Sequence, residues 1–329
     1  MRLIDVVRTK RPQRLVVPLI GYPGAQLTHS TIKQNGFNSE LHYRSIYKLV
    51  EMFAPDAIFY MMDLSLEAGA IGLQIRYPLD ESASVEFHPV QQISDLDEYK
   101  VLDPIYDARI RSYVETMQLM SQNLKGVTRG AYVIGPFTLA GLMLGASQVA
   151  VATIDNPDLV LATLNYAEDI ITRYAKELVN AGADLVAILE PTATFLSPKS
   201  FSRFSGNYVN RIARRLDAMT VLHICGDTTS LVPAMGKLDI QGLSLDSMVD
   251  LAKAAKKIPS DMVLMGNLDP VRIMINESPE GVRAAVRKLL DEMAPYENFV
   301  LSTGCDLPQE TPLANIQAFM EEGRTYLPQ

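Results

Sequence analysis

The sequence predicts an α/β protein built as a (β/α)8 barrel, on three observations. Short apolar, β-branched runs recur eight times along the chain, each ending in Gly, Pro or a polar residue. A longer stretch of helical period separates most successive runs. The length of 329 residues suits one such barrel with insertions. Continuous apolar runs are what strands buried on both faces of a parallel sheet require. Eight of them alternating with helices favour closure, although a doubly wound open sheet satisfies the same alternation.

In order, the predicted strands are 15–20 (LVVPLI), 57–63 (AIFYMMD), 132–137 (YVIGPF) and 185–190 (LVAILE). The second half supplies 220–225 (TVLHIC), 242–246 (GLSLD), 262–269 (MVLMGNLD) and 299–305 (FVLSTGC). Amphipathic stretches over 43–53, 108–124, 159–181, 198–216, 279–293 and 312–324 are the predicted helices. Ser197-Pro198, Ser278-Pro279 and Thr311-Pro312 read as N-caps followed by proline at the first helical position, where its missing N–H costs nothing. The segments 25–41 and 71–97 show no sustained period, yet neither has the composition of a flexible linker. They are expected to be N-terminal elaborations at the barrel's top, with residues 1–329 forming a single domain.

Composition excludes several function classes. Thirty Lys and Arg against 38 Asp and Glu give a formal charge of -8 and a pI near 5.1. With no basic run to meet phosphates, a nucleic-acid partner is not expected. No window reaches the roughly 18 consecutive apolar residues of a membrane span, and the N-terminus lacks the apolar core of a secretory signal. A cytoplasmic, non-membrane protein is expected. Two cysteines, Cys225 and Cys305, are too few for a disulfide framework.

Barrel chemistry sits where strands end, at the C-terminal face. The residues placed there are Asp63, Glu190, His223, Cys225, Asp246, Asn267, Asp269 and Cys305. On a strand His223 and Cys225, two apart, share a face, and Cys305 ends another strand. One imidazole and two thiolates form a zinc-like set that leaves a fourth position open, as catalytic sites do. Asp246, ending an intervening strand, is a candidate for that position. The competing reading is that all three are core residues, free cysteine being among the most buried types. From the residues alone the two readings stand about even.

Four stretches then identify a resemblance: HICGDTTSLVPAM at 223–235, GPFTLAGLMLG at 135–145, GNLDPV at 266–271 and STGCDLPQETPLANIQAF at 302–319. They resemble the uroporphyrinogen decarboxylase superfamily over nearly the whole chain. Within it, the chain is most similar to the corrinoid-dependent methyltransferase branch, which includes the methylcobamide:coenzyme M methyltransferases. That resemblance implies a barrel fold and a zinc site of His223, Cys225 and Cys305, with Asp246 as a displaceable fourth ligand. It also implies zinc activation of a small thiol, coenzyme M among the options, and a corrinoid (methylcobamide) as co-substrate on a separate carrier protein. The other members of that branch that load the corrinoid from small methyl donors leave the direction of transfer open.

The resemblance also brings in Glu67, in DLSLEAG, as a pocket residue, against a solvated acid in a helix's first turn. Glu190 is a candidate for hydrogen bonding to substrate or to a ligand. Tyr22 and Asp63 are candidates for the corrinoid-binding surface, and Tyr60, Met61 and Met62 for an apolar wall. His29, His42 and His88 are expected at the surface. Two other readings are carried. A decarboxylase is disfavoured because IGYPGA at 20–25 stands where such enzymes carry an arginine-rich MRQAGR stretch for their substrate's carboxylates. A non-catalytic protein that binds a corrinoid carrier is disfavoured by the intact ligand set.

Overall fold

The computed structural model describes residues 1–101 and 103–327. Seven parallel strands form one sheet in the order β1 (Ala57–Phe59), β4 (Thr128–Ile134), β5 (Leu185–Leu189), β6 (Met219–Ile224), β7 (Gly242–Leu245), β8 (Val263–Leu268), β9 (Phe299–Thr303). A separate hairpin pairs β2 (Ile75–Arg76) with β3 (Ser84–Val85).

The barrel closes through residues 15–20. Val16 pairs in parallel with Leu301 on β9, and the Val17 N–H donates to the Leu301 carbonyl at 2.8 Å. On the other edge Asp56, just before β1, donates its N–H to the Val16 carbonyl at 3.1 Å and accepts from the Val16 N–H at 2.8 Å through its carboxylate. The predicted first strand is therefore a stave of the barrel without a regular ladder. Pro18, at its centre, has no N–H to give, and the next amide, of Leu19, goes to the Thr303 hydroxyl at 3.0 Å.

The other predicted strands are all present with shifted ends. β1 stops at Phe59 rather than 63 because side chains take over its amides: the Met61 N–H donates to His42 Nε2 at 3.0 Å and the Met62 N–H to Asp306 at 3.2 Å. β4 starts earlier, at Thr128, where Arg129 chelates Asp184 with two bonds of 2.8 Å. It ends at Ile134 because Pro136 opens the helix Pro136–Leu144. The predicted helix over 198–216 is interrupted by a π turn at Ser202–Gly206, a common device near functional residues. Ser197 and Ser278 do cap their helices, accepting from Ser200 and Gly281 amides at 3.2 Å. Thr311 does not; its hydroxyl donates to the Pro308 carbonyl at 2.8 Å, and the helix begins at Leu313.

The irregular stretch 25–41 is two short helices, Gly24–Thr28 and Ile32–Phe37, and 71–97 holds the β2–β3 hairpin. At the opposite end the helix Leu3–Thr9 buries Leu3, Ile4 and Val7, and the Leu3 N–H donates to Gln241 ahead of β7 at 2.7 Å. This helix packs at the strand N-termini, opposite the end that carries the candidate ligands. Among the described residues no single helix is long and apolar enough to cross a membrane. The apolar pair Pro136–Leu144 and Ala146–Asp155 is bent by 101°.

Candidate functional site

Three strand ends build the site. His223 is the penultimate residue of β6, and parallel register sets it opposite Leu189 on β5 and Ser244 on β7, so its ring points into the barrel. Its Nδ1 lies 2.9 Å from Ser244 Oγ. That contact leaves Nε2 facing Cys225, whose sulfur is 3.0 Å away. Cys225 lies just past the strand, where Gly226 turns the chain at φ +86, a conformation that favours glycine. Cys305 Sγ comes within 3.3 Å of Cys225 Sγ and 3.7 Å of His223 Nε2. Gly304 makes this approach possible: a Cβ there would sit 2.6 Å from the Ser247 amide nitrogen.

The three donor atoms form a triangle suited to one ion. Tetrahedral zinc, with sulfur at about 2.3 Å and nitrogen at about 2.0–2.1 Å, separates its ligand atoms by roughly 3.4–3.8 Å, a few tenths of an ångström from the spacings present. The sulfurs are electronically unlike. Cys225 is held below the usual thiol range by the hydrogen bond from Cys305, whereas that bond and burial push the Cys305 thiol up.

Asp246 is not brought into the triangle. One of its oxygens accepts from the Gly226 N–H at 2.9 Å, and the other from the Ser247 hydroxyl and Met248 N–H, each at 3.1 Å. The expected fourth-ligand position is therefore not taken up in this geometry; the carboxylate instead fastens the loop after Cys225 to the end of β7. Asn267 supports that loop, donating to the Asp246 and Val249 carbonyls at 2.8 and 2.6 Å.

Glu190, a candidate for hydrogen bonding to substrate or to a ligand, is fully buried and turned to the helix that follows β4. It accepts from the Phe137 N–H at 3.0 Å, from the Thr138 N–H and hydroxyl at 2.8 Å, and from Ser205 at 3.1 Å. It serves as the N-terminal cap of Pro136–Leu144, which has no cap of its own. Carboxylates belong at that end of the helix dipole. Burial pushes its carboxyl up to about 7 against those donors.

Glu67 is no solvated acid. It is 1% exposed and accepts from the Ile134 N–H at the end of β4 at 2.9 Å. Burial pushes its carboxyl up to about 8, against an unfolded value near 4.3. The folded state thus binds the proton more tightly, so this group's contribution to stability is complete below about pH 4 and is lost as pH rises toward 8. Wild-type protein is expected to lose stability from pH 5 to 8.5 relative to Glu67→Gln, by up to about 1.4 kcal/mol per pH unit in that window. Urea unfolding of both proteins at several pH values checks this; parallel curves would refute it.

Tyr22 and Asp63 are brought together, lining one pocket with Met61, Met62, Arg109 and Tyr113. The Tyr22 hydroxyl donates to the Met62 carbonyl and lies 2.9 Å from Ser82 Oγ, which ties the segment between β2 and β3 to the barrel. Asp63 accepts from Ser65 at 2.8 and 2.7 Å and is paired with Arg109. Asp63 raises the guanidinium against the effect of burial.

Sequence reasoning missed four residues here. Arg109 carried a signal: a cation in the first turn of Ala108–Asn123 opposes the helix dipole and needs another partner. Asp306, next to Cys305 in a strand-to-loop junction, was legible only as loop; burial and Cys305 push its carboxyl well above the usual range. Ser244 and Tyr132 act through register, which one dimension does not show. The histidines divide: His29 and His88 are exposed as expected, but His42 is fully buried. Burial pushes its ring down to about 3, so it stays neutral and accepts the Met61 amide.

Residues 2–326 match the family model described as Uroporphyrinogen decarboxylase (URO-D). The chain belongs to this family. Among its relatives, the methylcobamide:CoM methyltransferase MtbA of Methanosarcina mazei is 31% identical over 278 residues, 82% of this chain and 80% of that protein. A uroporphyrinogen decarboxylase of Prochlorococcus marinus is 25% identical over 311 residues, 90% of this chain and 87% of that one. A solved methyltransferase from Methanosarcina mazei superposes with a TM-score of 0.88 at 23% identity, covering 98% and 97% of the two chains, which shows that the two share one fold.

Proposed function

We propose that this URO-D family protein is a zinc-dependent methyltransferase moving a methyl group between a corrinoid, borne on a separate carrier protein, and a small thiol or other small methyl donor or acceptor. The observation that carries this reading is the triangle of His223, Cys225 and Cys305 at and just past the ends of β6 and β9. Its support is the match between that donor set and zinc, together with the greater identity to MtbA than to the decarboxylase.

Zinc bound by these residues would supply a cation that keeps an incoming thiol deprotonated at neutral pH. The chain's own residues do the rest. Ser244 fixes the imidazole tautomer so that Nε2 is the ligand atom, a type of support whose loss commonly weakens metal binding about 10–100-fold. Asp246 and Asn267 hold the loop behind Cys225 in place. In transfer to a thiol, the sulfur's electron pair forms the new bond to the methyl carbon. A corrinoid would supply the methyl group and keep the bonding electron pair, and the thiol proton would be released. Such a transfer would require the thiol sulfur and the methyl group to be aligned over the triangle.

Elemental analysis of purified protein is expected to give about one zinc per chain. The zinc-loaded protein should demethylate methylcobalamin in the presence of 2-mercaptoethanol, lose that activity on chelation and regain it with added zinc. Undiminished transfer by the chelated protein would overturn the proposal.

A further inference from the structure

The sequence contains two cysteines and no more, and the fold sets them sulfur to sulfur. Cys225 Sγ and Cys305 Sγ are 3.3 Å apart across 80 residues of chain. A disulfide holds its sulfurs at about 2.05 Å and tetrahedral zinc holds two thiolates roughly 3.8 Å apart, so the pair stands between the two states. Neither cysteine lies within a strand, since β6 ends at Ile224 and β9 at Thr303. Both are partly exposed, which lets a small oxidant reach them. The two sides are held differently. Gly304, before Cys305, is wedged: its N–H donates to the Leu268 carbonyl at 2.8 Å, and a Cβ there would meet the Ser247 nitrogen at 2.6 Å. Gly226, after Cys225, has room, because a Cβ there would meet only Thr194 Cγ2 at 3.5 Å. Its N–H bond to Asp246, 2.9 Å, is the tie on that side. Closing the gap of about 1.3 Å to a bond therefore falls to Cys225.

We propose that Cys225 and Cys305 are a reversible redox pair: a small disulfide joins them when the site is free of zinc, the new bond bars the metal, and bound zinc bars the bond. Oxidised glutathione serves as that disulfide. One cysteine sulfur attacks a glutathione sulfur, the glutathione S–S bond breaks and one glutathione thiol leaves. The second cysteine then attacks the mixed disulfide and releases the other. Two cysteine thiols lose two protons and two electrons, and one glutathione disulfide becomes two thiols. The joined pair leaves His223 as a lone ligand, too few for zinc. Zinc competes in turn because the thiolate is both the nucleophile and the metal ligand. The zinc half of this switch rests on the methyltransferase reading; the bond between the sulfurs does not.

The full chain, stripped of metal and reduced, is equilibrated with glutathione buffers of rising oxidised share, with and without zinc, then quenched in acid for intact mass and thiol counting. Without zinc both thiols are expected to vanish together, with a mass lower by two hydrogens, no glutathione adduct and no linked dimer. With free zinc at about 100 times its Kd, the ratio of squared reduced glutathione to oxidised glutathione at half-oxidation should fall roughly a hundredfold, because the metal binds only the reduced pair. Dithiothreitol should return both thiols and zinc binding. His223→Ala keeps the sulfurs and loses a ligand, so it should still form the bond and lose most of the zinc effect. Cys225→Ser and Cys305→Ser should each stop at a mixed disulfide with glutathione.

Two thiols retained under oxidised glutathione, separate adducts on both cysteines, or a bond between two chains would overturn the pair. So would equal oxidation with and without zinc in a protein that binds the metal. A chain that forms the bond but binds no zinc when reduced would overturn the methyltransferase reading and the zinc half of the switch, while supporting the bond itself.

Discussion

Cys305→Ala is expected to bind zinc at least about a hundredfold more weakly than wild type and to be isolated nearly metal-free, with its barrel intact. The expectation follows from the ligand count. Three side chains converge, with donor atoms 3.0, 3.3 and 3.7 Å apart, and removing one leaves a pair that cannot enclose the ion. Its cost should exceed the 10–100-fold typical of losing an outer hydrogen bond. Folding should survive because Cys305 lies beyond β9, outside the buried core. Asp246→Ala is the informative contrast. Its carboxylate bonds to Gly226, Ser247 and Met248, so the variant should keep its metal with less than about a tenfold loss of affinity. Zinc content and competition with a chromogenic chelator measure both. Full zinc in Cys305→Ala would remove it from the ligand set; zinc loss in Asp246→Ala would restore Asp246 as a ligand.

Arg109→Met is expected to be the most destabilising single change among the polar residues described, by about 3–5 kcal/mol. The side chains of Arg109 and Asp63 are 7% and 10% exposed. The guanidinium also lies over the rings of Phe37 and Tyr77, at 5.1 and 4.8 Å from their centroids. Removing it strands a buried carboxylate whose remaining donors are Ser65 and Tyr113, and an uncompensated buried charge is the costly outcome. Adding Asp63→Asn should recover much of the loss, since the double variant buries no charge. Urea unfolding of the two single variants and the double variant checks this. A loss below about 1 kcal/mol would show that water reaches Asp63 and that the pair behaves as a surface ion pair.

Much of the barrel was legible because its signals are local. A fully buried parallel strand needs a continuous apolar run, and seven of the eight predicted runs overlap one of the sheet's strands. The eighth, over 15–20, has the right composition and place, but Pro18 deprives it of a ladder. The ends were less legible wherever a distant side chain took a strand's amide. His42 and Asp306 end β1 in this way, and neither is near it in sequence. Glu190 shows the same limit from the other side: a carboxylate at a strand end suggests chemistry, yet four donors from Phe137, Thr138 and Ser205 make it a helix cap.

By itself the sequence determined the α/β alternation and the three candidate ligands. Apolar period suffices for the first, though not for closure of the sheet, and for the second a histidine and both cysteines at strand ends suggest one set. Only the tertiary structure decided which polar groups look inward together. It paired Asp63 with Arg109, turned Glu190 to a helix N-terminus and tied Asp246 to a loop. The physical reason is that burial prices each polar atom by its partners. Those partners come from other strands and helices, at sequence distances of 46 residues for Arg109 and Asp63 and 80 for the two cysteines.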